Sequence, residues 1–217
     1  MCGGYSDGLC EECFRSLPRT EQAELRGNGT EQTLVGNVYD PVSAQKAMHL
    51  ERGAAFLFYE KQHPIRRAIH AMKYADQPMI GYRFGRMAAM EMQYADFFDG
   101  IDVIVPMPLH PKRFRERGYN QSEFIARGIS EVTGIPVDTT HVTRARNTPK
   151  QALQRGEDRK HNVTNAFAVN QPEQFYHKHI LVVDDLVTTG ETMRSCLKAM
   201  KRFRGAKFSV FALCKAR

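Results

Sequence analysis

Residues 180–193, ILVVDDLVTTGETM, constrain the fold of this chain more than any other segment. Residues 180–183 are short, apolar and β-branched, as a strand buried on both faces of a parallel sheet should be, and 192–201 read as a helix. The expected unit is therefore strand, loop, helix. In open α/β sheets ligands bind beyond the carboxyl ends of the strands, which is where this loop falls. Asp184 and Asp185 repel anions, so they suit a neutral hydroxylated group or a cation. Backbone N–H groups at the helix start, with the hydroxyls of Thr188, Thr189 and Thr192, suit a phosphate dianion. A phosphorylated sugar meets both demands, its ribose diol on the carboxylates with Mg²⁺ nearby. Taken alone, the same residues also allow an ordinary β–α turn with an Asx cap, or an acidic phosphoacceptor or Mg²⁺ site.

At 217 residues the chain is long enough for one α/β domain and a small appendage without help from disulfides. Five cysteines, an odd number, argue for reduced thiols or a metal site rather than a secreted disulfide framework. No apolar run reaches membrane-spanning length and the start lacks a basic-then-apolar signal pattern, so a cytoplasmic location is expected. The formal charge of +7 favours polyanionic partners in general without choosing among them.

Three regions follow from the patterning. Residues 1–17 form a Cys-rich appendage, and 18–53 form a connector broken by Gly27, Gly29, Gly36 and Pro41. Residues 54–217 form the main domain. Within it the pattern predicts strands over 54–59, 103–106, 180–183 and 208–213, helices over 64–74, 80–94, 120–133 and 192–201, and a short extended piece over 135–142. Alternating strands and helices imply an α/β fold with a mostly parallel sheet flanked by helices.

Two further segments bear on the site. Residues 106–121, PMPLHPKRFRERGYNQ, start at the end of a predicted strand and should open onto the same sheet edge as the acidic pair. His110, Lys112, Arg113, Arg115 and Arg117 crowd this loop, and a pyrophosphate is an anion that would offset their repulsion. The plainer alternative is a solvated basic turn in which Gly118 ends the turn and Asn120 caps the next helix. Residues 144–165 carry Arg144, Arg146, Lys150, Gln151, Arg155, Arg159 and Lys160 with few apolar residues, the composition of a loop that closes over a ligand.

The order D-D-x-x-T-T-G-x-T, formed by Asp184, Asp185, Thr188, Thr189, Gly190 and Thr192 with Glu191 inside it, resembles the 5-phosphoribosyl-1-pyrophosphate (PRPP) motif of type I phosphoribosyltransferases. The loop P-x-P-L-H-P-x-R-x-x-x-R-G-Y-N-Q and the run from Thr148 to Phe167 make the likeness closer. With Lys73 and Tyr74, similar to an L-K-Y segment, they resemble the ComF/amidophosphoribosyltransferase-like family associated with bacterial competence. The resemblance implies a type I phosphoribosyltransferase fold and a PRPP site. In that site Asp184 and Asp185 hold the ribose hydroxyls, residues 188–192 the 5′-phosphate, and Lys73, His110, Arg113 and Arg117 the pyrophosphate. Arg144, Lys150, Gln151 and Arg159 would then belong to a flexible loop. It implies Mg²⁺ with PRPP, an unidentified nitrogen nucleophile, and links to DNA or competence proteins, and it allows a homodimer.

Cys2, Cys10 and Cys13 are similar to the rest of that family's amino-terminal zinc ribbon, whose first cysteine would fall upstream of Met1. Zn²⁺ prefers four ligands, so three thiolates would bind it weakly or with water. Three reduced thiols are the alternative. Cys196 and Cys214 fall in a predicted helix and strand and are expected to be core thiols.

Two classes of function remain open at this level. One is a phosphoribosyltransferase, for which no nucleophile-activating base is evident in the sequence. The other is a nucleic-acid-handling protein that keeps the fold as a scaffold or PRPP sensor. Against the second, basic and aromatic residues are closely interleaved only around Phe114 and Tyr119.

Overall fold

The computed structural model describes residues 11–20, 50–144 and 166–216. A short helix α1 (Glu11–Arg15) precedes β1 (Leu50–Tyr59), α2 (Ile65–Tyr74), α3 (Met79–Met92) and β2 (Val103–Pro106). Then come α4 (Pro111–Arg117), α5 (Gln121–Thr133), β3 (Val142–Arg144), β4 (Phe167–Val169), β5 (His179–Val187), α6 (Glu191–Met200) and β6 (Lys207–Ala216). Four strands form a parallel sheet in the order β1-β6-β5-β2. β3 and β4 pair antiparallel beside it.

Ile180, Leu181, Val182 and Val183 are fully buried, which explains their unbroken apolar run. The strand goes further than that run. It continues through Asp184 and Asp185 to Val187, so the acidic pair lies within the last turns of pleat rather than in the loop after it. β1 likewise begins at Leu50, ahead of the expected 54.

Both edges of the sheet are covered. The Phe58 N–H donates to Pro18 O at 2.7 Å and the Thr20 N–H to Phe56 O at 3.0 Å, so residues 17–20 run along β1. Arg19 fastens this segment to α3 through two 2.8 Å bonds to the Glu91 carboxylate. On the other edge, Val137 bridges to Ile104. Covered edges do not template pairing with other chains.

α2 buries Ile65, Ala68, Ile69 and Met72, a stripe at helical spacing, and leaves its other side in solvent. α3 and α5 cross so closely that side chains are excluded at the contact. A Cβ on Gly85 would lie 2.2 Å from Ile125 O, and one on Gly128 would lie 2.1 Å from Tyr82 O.

The segment expected as an open loop after β2 contains α4. His110 caps it, Pro111 occupies its first turn, and Gly118 ends it at φ 80°. No residue of α4 is buried, so hydrophobic periodicity gave no sign of it. Among the described residues, no helix is long and apolar enough to cross a membrane.

The close crossing gives a direct test. Gly85→Ala or Gly128→Ala should destabilise the fold by about 1–3 kcal/mol or more, since backbone oxygens cannot rotate away as a side chain would. Urea unfolding midpoints equal to wild type would refute this packing.

Candidate functional site

The parallel ladder brings Asp184 and Asp185 to the carboxyl edge of the sheet, and each has a different partner. Asp184 Oδ1 accepts from the Ser122 hydroxyl at 3.2 Å and from the Asp185 backbone N–H at 2.9 Å. Asp185 Oδ2 lies 2.6 Å from Lys73 Nζ. No donor is aligned on that oxygen for a hydrogen bond, so the contact is an ion pair by distance alone. Both carboxylates are buried.

Burial, and then the charge of Asp185, push the Asp184 carboxyl up to about 7. The two acids therefore divide the work. Asp185 keeps a cation beside it, while Asp184 keeps its proton up to about pH 7. Cys196 and Cys214 are buried core thiols, as their positions in helix and strand led us to expect. Burial pushes both thiols up, with further upward pressure from Asp184 on Cys196 and from Asp185 on Cys214.

The turn after β5 presents Thr188, Thr189, Glu191 and Thr192 on the surface, with Gly190 buried at φ 75° at the start of α6. Only glycine adopts that backbone conformation readily. Glu191 pairs with Arg194 on the next turn of the helix. Thr188 and Thr189 are thus exposed just ahead of the ten-residue α6, and Thr192 is exposed in its first turn.

On the β2 flank the expected cations separate. Arg113 is exposed on α4. Arg117 donates to Gln121 Oε1 at 2.9 Å and lays its guanidinium 4.9 Å above the Tyr74 ring. His110 Nδ1 accepts the Lys112 N–H at 3.2 Å, and its Nε2 is buried without a partner. Arg144, at the end of β3, stacks on Phe167 at 5.3 Å. Burial lowers its guanidinium below the usual value and Arg113 adds to that, while Asp184 acts in the opposite sense, so these three charges share one neighbourhood.

Asn120 caps α5, as the sequence allowed, but the contacts made around it were not foreseen. Ser122 is the hydroxyl that meets Asp184, and Asn120 positions it. The Asn120 Oδ1 accepts the Ser122 N–H at 3.2 Å while its Nδ2 donates to Met107 O at 3.1 Å. The Tyr119 hydroxyl donates to Met72 O at 2.6 Å, tying the start of α5 to α2. The only signal was the capping Asn120, which marks a helix start without revealing what the next serine faces.

Two cavities open at the carboxyl end of the sheet, one beside the end of β2 and one beside the ends of β1, β5 and β6. One of about 480 Å³ is lined by Pro106, Leu109, Phe114, Asn120, Val142 and Arg144. Another of about 540 Å³ is lined by Tyr59, Glu60, Leu186, Thr188 and Ala216. Lys150, Gln151, Arg159, Cys2 and Cys10 lie outside the described residues. Cys13 is half-buried on α1, and among the described residues no three His, Cys, Asp or Glu side chains converge as a metal site.

A parallel sheet flanked by helices, with an acidic strand end and a hydroxyl turn before a helix, is the architecture of a phosphoribosyltransferase-type domain. Residues 117–217 match the family described as "Phosphoribosyl transferase domain". The chain belongs to the ComF family within that class, as its relatives show. It is 32% identical over 155 residues to the DNA utilization protein YhgH of Escherichia coli K12, covering 70% of this chain and 67% of that protein. It is 27% identical over 157 residues to Competence protein F of Haemophilus influenzae, covering 70% and 69%. Among solved structures it is similar to the glutamine PRPP amidotransferase of B. subtilis complexed with ADP and GMP. That likeness has a TM-score of 0.47 and 18% identity over 67% of this chain. The chain spans only 30% of the length of that enzyme.

The raised Asp184 carboxyl makes a stability prediction. The folded state retains a proton that the unfolded chain loses near pH 4, so stability falls as pH rises from about 4 through about 7. Asp184→Asn removes the buried charge. It should raise the Tm at pH 8, by about 2–4 °C for each kcal/mol regained, and leave it nearly unchanged at pH 5. Equal melting of the two proteins at pH 8 would contradict a buried, charge-strained Asp184.

Proposed function

We propose that this chain binds PRPP with Mg²⁺ along the carboxyl edge of β5 and transfers the 5-phosphoribosyl group to a nitrogen nucleophile, releasing pyrophosphate. One observation carries this reading: two buried carboxylates stand directly before a turn of exposed hydroxyls. Ribose hydroxyls are donors, and Asp185 Oδ2 lacks an aligned donor. A phosphate needs donors, which Thr188, Thr189, Thr192 and the N–H groups around Gly190 and Glu191 supply.

The remaining roles follow from charge and position. Lys73, His110, Arg113 and Arg117 would face the pyrophosphate, and Arg144, next to Arg113, would complete that basic side. When ribose hydroxyls take over Asp185, Lys73 is released toward the departing anion. The C1–O bond to pyrophosphate then breaks with its electron pair going to pyrophosphate, and the nitrogen lone pair captures C1. The protein contributes position and charge stabilisation to this step. Mg²⁺ suits the acidic pair as an ion shared with the substrate's own oxygens, since it is commonly bound through one or two carboxylates plus phosphates. Bound there, it would neutralise part of the pyrophosphate charge. The relatives are named for DNA utilisation and competence, and we read this chain's activity as serving the same process.

Calorimetry with Mg-PRPP tests the proposal. Thr189→Val should weaken binding by about 1.5–3 kcal/mol, the range for a hydrogen bond to a charged group. Unchanged affinity in the Asp184→Asn/Asp185→Asn double variant would reject the site. A cation and diol favour ionised Asp184, so affinity should rise with pH up to and through about 7, with a proton released on binding. Pyrophosphate release in the presence of a panel of amines and nucleobases separates a transferase from a sensor that only binds.

A further inference from the structure

One side of β5 has no part in the chemistry described so far. β2 lies on one flank of β5, with β6 and then β1 on the other. His110, Arg113 and Arg117, which we assign to pyrophosphate, all follow β2 in the chain. On the opposite flank β1, β5 and β6 end together, with Tyr59 paired to Ala216 and Val187 to Lys215. The cavity of about 540 Å³ opens at these ends, within the roughly 300–1,000 Å³ typical of small-molecule sites. Thr188 lines it, so it adjoins the hydroxyl turn. Glu60, half-buried, is its one carboxylate among the described residues.

When a group on a sugar's C1 is displaced without a covalent enzyme intermediate, the nucleophile adds to the face opposite the leaving group. With the 5′-phosphate on the turn after β5 and pyrophosphate departing toward β2, the free face of C1 looks toward β6 and β1. The nucleophile therefore arrives from the side of this cavity. The lining suits a flat, neutral ring. Tyr59 and Leu186 give apolar walls, Lys61 offsets Glu60 in formal charge, and the Gln62 amide can both donate and accept. A second anion fits less well, because it would meet the Glu60 carboxylate. A ring nitrogen that attacks while carrying a hydrogen becomes cationic and needs a proton acceptor. Asp184 and Asp185 are committed to the ribose hydroxyls, which leaves Glu60.

We propose that this cavity receives the nucleophile as a nitrogen heterocycle and that Glu60 is the base that takes its proton. The premise is the PRPP site at β5. The C1–O bond to pyrophosphate breaks with its electron pair, the ring nitrogen's lone pair forms the C1–N bond, and the N–H proton passes to the Glu60 carboxylate. Glu60 then returns that proton to water, so the protein ends unchanged beside the N-riboside 5′-phosphate and pyrophosphate.

Binding and chemistry are tested separately on the full chain. Saturation-transfer NMR with adenine, hypoxanthine, guanine, uracil and imidazole should show contact with at least one ring when Mg²⁺, ribose 5-phosphate and pyrophosphate fill the sugar site. Ala216→Trp, which fills the cavity, should abolish that contact while Mg-PRPP affinity stays at the wild-type value. With a ring that binds, Glu60→Gln should slow pyrophosphate release from PRPP about a hundredfold or more, the usual contribution of a positioned base, and Glu60→Asp should keep part of the rate. Mg-PRPP binding by the Glu60→Gln protein reports that it folds. Four results would overturn this role while leaving the sugar site standing: Mg-PRPP binds but no ring does, ring contact persists in Ala216→Trp protein, a bound ring releases no pyrophosphate, or Glu60→Gln turns over at the wild-type rate. Failure of Mg-PRPP itself to bind would overturn both.

Discussion

A half-buried ammonium beside a buried carboxylate fixes where the amino-terminal half of this domain meets its central strand. A carboxylate buried at the sheet edge is far less costly with a cation beside it than alone. Lys73 supplies that cation from α2, and α2 must therefore lie across the end of β5. The Tyr119 hydroxyl bond to Met72 O brings the start of α5 to the same place. α2, β5 and the α4–α5 junction thus converge at one point, beside the acidic pair.

The neighbouring acid follows a different logic. Asp184 has hydrogen-bond donors in Ser122 and a backbone N–H, yet burial and the charge of Asp185 outweigh them and keep its carboxyl up near 7. Below about pH 7 the raised Asp184 carboxyl spares the unliganded site an added buried negative charge, the cheaper arrangement for adjacent buried acids. It also means that a cationic ligand has something to gain there beyond contact area.

The sequence made the main architecture legible because its strong signals were local. The apolar run 180–183, the Pro64 start of α2 and the D-D-x-x-T-T-G-x-T spacing each depend on residues close together in the chain, and the structure bears out the fold and family they indicated. Long-range pairings were not legible. Ser122 beside Asp184, Lys73 beside Asp185 and Arg117 over Tyr74 join residues 62, 112 and 43 positions apart, and no local period encodes them. α4 escaped for a third reason. A helix that buries nothing leaves only its caps as a trace, and His110, Pro111 and Gly118 also read well as a turn.

The crossing of α3 and α5 has a consequence for how this site can vary. Where Gly85 and Gly128 meet the opposing backbone, the spacing between helices is set by main-chain atoms, which have no alternative rotamers. Ser122 and Asn120 stand at the start of α5 and inherit that rigidity, so the acidic strand end is held against a fixed wall. The exposed residues of the turn after β5 and of α4 carry no such restraint. Change in what the domain accepts should therefore accumulate on those surfaces, while the wall behind Asp184 stays an unadjustable reference against which every variant is measured.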